Sequence, residues 1–147
     1  MTAKRVNIIS LKMVKEYSIL YDKRKLESPE DVYNLTKDFL EDFDREKILL
    51  ICVNSKLEPT NIQTISIGAL DASATSPREV FKTAILSNSK SIFLAHNHPS
   101  GNCSPSGADI EVTRNIAKAG EILDIKLIDH IIIGNNTFIS LKTKGLF

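Results

Sequence analysis

His96-Asn97-His98-Pro99, followed by Ser106 and Asp109, is the group of residues in this chain best equipped for chemistry. Side chains alternate along an extended backbone, so His96 and His98 point to one side and Asn97 to the other. Two imidazoles can then share one ion, and Pro99 keeps His98 out of the helical region. Ser104-Pro105 has the chemistry of a helix start, with Ser104 as cap and Pro105 as the first helical residue. On that reading Asp109 lies about one turn into the helix and can point back at the histidines. His96, His98 and Asp109 with a water would complete a tetrahedral catalytic Zn2+ site that keeps one position open.

Each of these residues has a plainer reading when taken singly. A His-x-His pair arises often by chance, Ser106 suits a helix cap or first turn, and Asp109 suits a helix dipole. Their conjunction is what points to a metal. Cys103 would close the site if it were a fourth ligand, so it is expected as a loop residue near the cleft. His130, the third histidine, follows Asp129 in a strand-like run. It reads as a strand residue hydrogen-bonded to Asp129, or else as a group that supports a metal ligand or faces the substrate.

The elements that must position these residues are legible in part. Residues 6 to 14 mix polar and apolar positions at roughly period two and predict an edge or partly buried strand. Asp22-Lys23-Arg24-Lys25 predicts a solvated turn. Ser28-Pro29-Glu30-Asp31 is a helix start with a cap, a proline and an acid able to close a capping box. Val32, Leu35, Phe39 and Phe43 then form one apolar stripe, and the helix is expected to end between Asp42 and Arg45. Lys47 to Val53 predicts a strand buried on both faces, with Cys52 an ordinary buried side chain. A turn at residues 54–56 leads to a second strand over 62–67 that closes at Gly68.

Asp71 to Pro77 is expected as a connection, with a second helix from Pro77 to about Ser87, capped by Ser76 and facing the core through Phe81, Ala84 and Ile85. Ser91 to Ala95 predicts a short strand that delivers His96. A third helix carries Ile110, Thr113 and Ala117 one turn apart and stops near Gly120. Two last strands, over 122–133 and 137–141, are joined by a hairpin turn at Gly134-Asn135-Asn136. The strands over 62–67 and 137–141 offer edges through which a homodimer could form.

The 147 residues suit one compact body. With 19 basic against 18 acidic residues, the net charge of +1 lacks the electrostatic footprint of a dedicated nucleic-acid binder. Two cysteines in unlike contexts predict a reducing, cytoplasmic setting. The apolar runs are too short for a membrane span, and the amino terminus lacks the continuous apolar core of a signal peptide.

The spacing His-x-His-Pro, six residues, Ser, two residues, Asp resembles that of the JAMM (JAB/MPN) metalloproteases, and this chain fits it without a gap. It resembles more closely their RadC-like branch, historically labelled DNA repair proteins. That likeness rests on residues 77–81, on His96 to Gly101, on Pro105-Ser106 with Asp109, on Asp129 to Gly134, and on Ser140-Leu141 with Gly145, together spanning about residues 40 to 147. The chain differs in lacking a helical DNA-binding-like region at its amino-terminal side, and in having Asn102-Cys103-Ser104 where an acidic, proline-containing stretch is usual. The resemblance implies a mixed α/β fold of three-layer JAB/MPN type, cytidine-deaminase-like in architecture, with a curved mixed sheet flanked by helices. It makes residues 29–147 the metalloprotease domain and residues 1–28 a strand-forming extension.

The resemblance also implies that Glu46, just before the Lys47-to-Val53 strand, activates the water, a role that periodicity does not point to. Glu79 is a rival acid nearer the motif, and otherwise structural. By the same resemblance Ser106 would donate to the oxyanion. The function implied is zinc-dependent hydrolysis of peptide or isopeptide bonds in a peptide or protein substrate. Two other classes compete: a DNA-repair or mobile-element accessory protein that binds DNA or a protein, and a scaffold that has lost its chemistry. Deaminase chemistry is set aside because the His-x-Glu and Pro-Cys-x-x-Cys signatures are missing.

Overall fold

The structure is a computed structural model that describes residues 1–68 and 75–147. Its elements run α1 (Pro29–Leu40), β1 (Lys47–Val53), β2 (Pro59–Ile67), α2 (Pro77–Leu86), β3 (Ser91–Asn97), α3 (Gly107–Leu123), β4 (Lys126–Gly134) and β5 (Thr137–Ser140). The strands form one sheet in the order β2-β1-β3-β4-β5. Only β3 and β4 are parallel, with α3 as their crossover; the other neighbours are antiparallel. This is the mixed, helix-flanked sheet that the family resemblance implies, consistent with a JAB/MPN-like fold.

Period-two alternation in the central strands produces two cores. Leu49, Ile51 and Val53 join Phe93, Ala95, Ile131 and Ile133 under Val32, Leu35 and Leu40 of α1. Ile48, Leu50 and Cys52 join Ile92 and Leu94 against Val80, Phe81 and Ala84 of α2 and Val112 and Ile116 of α3. The sheet is thus buried on both faces, which is why β1 and β3 read as nearly continuous apolar runs.

Several boundaries differ from expectation, each for a local reason. Residues 6–14 form no strand: residues 1–20 are exposed and irregular, and neither edge strand pairs with them. A lone strand has no ladder to stabilise it. Helix α1 starts at its capping box as expected but ends at Leu40, so Phe43 lies beyond it. In α2 Val80 joins Phe81 and Ala84 in the core, whereas Ile85 is half exposed. Strand β2 starts earlier, at Pro59, and β3 runs on through His96 to Asn97.

The largest difference concerns α3. It is capped by Ser106, not Ser104, because Ser106 Oγ accepts the Asp109 N–H while the Asp109 carboxylate accepts the Ser106 N–H. That reciprocal pair satisfies two backbone donors, which a Ser104-Pro105 start would not. The helix also runs past Gly120 to Leu123 and stops at Asp124 in the left-handed region. Gly120 serves a close approach instead, since a Cβ there would collide with the Ile125 carbonyl. Strand β4 consequently begins at Lys126. The connection expected over 71–77 lies partly outside the described residues. Among the described residues, no helix is long and apolar enough to cross a membrane.

Candidate metal centre

The pleat of two adjacent strands assembles the site. Ile48 of β1 lies opposite His96 of β3, and Leu94, Ile92, Leu50 and Ile48 all face α2 and α3. His96 shares that face and meets Asp109 of α3. Glu46, two residues before Ile48, arrives on the same side. His98 continues past the end of β3, with its N–H donating to the Ile133 carbonyl at 2.9 Å. The site therefore sits at the carboxyl end of the parallel β3-β4 pair, where open α/β sheets form crevices.

One ligand-type atom each from Glu46, His96 and His98 lie within 4.8 Å of one another. The two imidazole Nε2 atoms are 3.1 Å apart. Asp109 spans both, with Oδ1 at 3.3 Å from His96 Nε2 and Oδ2 at 3.2 Å from His98 Nε2. Glu46 Oε1 is farther out, 3.8 Å from His98 Nε2. Bonds of about 2 Å to one tetrahedral zinc would set ligand atoms ~3.3 Å apart. The His96, His98 and Asp109 separations match that edge, and two nitrogens with two carboxylate oxygens are donors that zinc accepts. His98 Nδ1 lies 2.7 Å from the Asn102 carbonyl, which can only accept, so Nδ1 carries a proton and Nε2 can present its electron pair.

Burial falls in the order expected of ligands at the bottom of a cleft. The side chains of His96 and Asp109 are 0% and 2% exposed, against 12% for His98 and 28% for Glu46. Burial pushes the Asp109 carboxyl up, but hydrogen bonding with His96 and His98 and the Ser106 N–H together outweigh it and hold the group far below the ordinary carboxylate range. The Asp109 hydrogen bond raises the pKa of His98, against burial, which lowers it.

Ser106 stands beside this group through its capping box with Asp109 and is exposed. Glu79 does not join it: it pairs with Lys82 at 3.1 Å in the first turn of α2. Cys103 is buried in a small cluster with Ile132 and Leu141, with Sγ 3.4 Å from the Gly134 carbonyl, and burial raises its thiol pKa. The backbone N–H of His130 does donate to Asp129, at 2.7 Å, while its imidazole meets His96.

Sequence reasoning missed Asn97. Its Oδ1 accepts the Lys47 N–H at 2.8 Å, and its Nδ2 donates to the carbonyls of Arg45 at 3.0 Å and Phe43 at 3.4 Å. It therefore ties the segment carrying Glu46 to the strand carrying the histidines. Alternation showed only that Asn97 faces away from the metal position; its partners depend on β1-β3 pairing. The loop after His98 is braced as well: Gly134 of the β4-β5 hairpin lies so close that a Cβ on it would stand 2.9 Å from the Gly101 carbonyl.

The model of the family described as RadC-like JAB domain matches residues 26–146. A UPF0758 protein of Desulforamulus reducens is 50% identical over 118 residues, 80% of this chain and 52% of its own length. A UPF0758 protein of Caldanaerobacter subterraneus subsp. tengcongensis is 48% identical over 120 residues (82% and 52%), and one of Methanosarcina barkeri 44% over 123 (84% and 54%). The chain spans about half the length of these curated relatives.

Proposed function

This chain belongs to the RadC-like JAB domain family, and from that premise we propose that it is a zinc-dependent hydrolase of peptide or isopeptide bonds. The observation that carries the reading is the convergence of His96, His98, Asp109 and Glu46 at the carboxyl end of β3. His96, His98 and Asp109 would hold the ion. Bound zinc would lower the pKa of water toward neutrality and polarise a carbonyl.

Glu46, the most exposed of the four and the farthest from the nitrogens, accepts the proton of the attacking water and passes it to the leaving amine. Asp109 faces both nitrogens more closely, and this is why it, rather than Glu46, is assigned as the third ligand. Ser106 spends its oxygen lone pair on the Asp109 N–H, which leaves the hydroxyl hydrogen to donate to a developing oxyanion beside the positive end of α3. The partner is a peptide or protein substrate. Two free cysteines are compatible with a reducing, cytoplasmic setting.

The test is metal content together with hydrolysis across a panel of peptide and isopeptide substrates. Glu46→Gln is expected to keep zinc and to lose roughly 10²–10⁴-fold in kcat/KM; loss of the metal would make Glu46 a ligand instead. Ser106→Ala should keep zinc and lower kcat by about 10²-fold or more. A wild-type protein that holds no zinc and gains salt-dependent DNA affinity would favour the accessory-protein reading.

A further inference from the structure

His130 and Thr113 take no part in the chemistry above, yet both are fully buried and lie in line with His96. Thr113 Oγ1 is 2.6 Å from the Asp109 carbonyl oxygen and 2.7 Å from His130 Nδ1. His130 Nε2 is 2.7 Å from His96 Nδ1. The direction of every proton in this row follows from its first member. A carbonyl only accepts, so the single hydroxyl hydrogen of Thr113 lies toward Asp109. The Thr113 oxygen must then accept from His130, which places a hydrogen on His130 Nδ1.

A neutral His130 with Nδ1 protonated has a bare Nε2, and that atom accepts from His96 Nδ1–H. The opposite arrangement has its own attraction, since His96 Nε2–H could donate to Asp109 Oδ1 at 3.3 Å. It would, however, move the His130 hydrogen to Nε2 and leave a bare Nδ1 facing the Thr113 lone pairs at 2.7 Å, two buried acceptors with no proton between them.

We infer that Thr113 and His130 are positioning residues that set the tautomer of His96, so that its Nε2 reaches the metal position as an unprotonated donor. The inference rests on His96 being a metal ligand, but the tautomer itself does not require metal to be measured. Because Thr113 is anchored on the peptide carbonyl of Asp109, the same row ties two of the proposed ligands together. It belongs to the general pattern in which a ligating imidazole gives its other N–H to a fixed acceptor, with the uncommon feature that the acceptor is a second histidine.

The experiment is 15N NMR of the imidazole nitrogens in the full chain, metal-free and at a pH where the histidines are neutral, paired with zinc affinity measured by chelator competition. Wild type is expected to show His96 protonated at Nδ1 and His130 protonated at Nδ1. Thr113→Val, near in volume but without the hydroxyl, should mix the His96 tautomers and weaken zinc about 10–100-fold, while Thr113→Ser should restore both. His130→Gln, which keeps an acceptor oxygen, should bind zinc better than His130→Met. Wild-type His96 protonated at Nε2, or Thr113→Val matching wild type in both readouts, would overturn the inference. Should wild type show the expected tautomers but bind no zinc, the zinc reading fails and the proton row stands.

Discussion

Asn97 shows how a residue that faces away from the site can still govern it. Its three hydrogen bonds pair the Lys47 N–H and the carbonyls of Arg45 and Phe43, the backbone on either side of Glu46. Asn97→Ala orphans those groups, and a stability loss of about 1–3 kcal/mol is expected. If Glu46 is the base, kcat should fall more than KM rises while zinc content holds; wild-type kcat in a destabilised protein would detach Asn97 from the chemistry. The histidines, Asp109 and Ser106 were legible because their types and spacing are local in the chain. Asn97, Thr113 and the imidazole contact of His130 were not, since each depends on a partner 17 to 54 positions away, which only strand pairing and the α3 crossover bring near.

At the scale of elements, the two capping boxes were read with unequal success for one reason. Ser28-Pro29 and Ser104-Pro105 look alike, but a capping box also needs an acid or amide three residues on, and Asp31 answers Ser28 and Asp109 answers Ser106, whereas Ser104 has only Gly107 there. Asp31 also receives Lys23 at 2.6 Å and the N–H groups of Glu27 and Ser28, so it fastens the chain leading into α1. Burial raises its pKa, and these bonds together more than offset that, leaving it lowered. A lowered folded pKa means stability that is present above the unfolded value of about 4 and is lost as pH falls through the folded value. Asp31→Asn should therefore be less stable near neutral pH yet show a flatter acid limb in denaturant titrations at stepped pH. Parallel limbs for the two proteins would remove Asp31 from the acid response.

For the whole molecule, alternating and continuous apolar runs made most single strands and helices readable, while their assembly into one mixed sheet followed from the family resemblance and the amino-terminal segment was not readable. Its period-two pattern is the same as that of a real strand, and whether a ladder partner exists is not written in the segment itself. Val6, Ile8, Ile9, Leu11, Val14 and Leu20 are all well exposed, and the first buried apolar side chain is Leu26. Deleting residues 1–20 is thus expected to change unfolding free energy by ~0.5 kcal/mol or less and to reduce self-association in light scattering; a larger loss of stability would show that the segment packs against folded protein. The contact between the hairpin and the loop after His98 bears on how variants of this chain should be screened. Any side chain at Gly134 would press on Gly101 and displace the loop that follows His98. A mutational survey scored only by turnover would therefore rank a hairpin glycine alongside the proposed ligands, and mistake a spacing requirement for a chemical one.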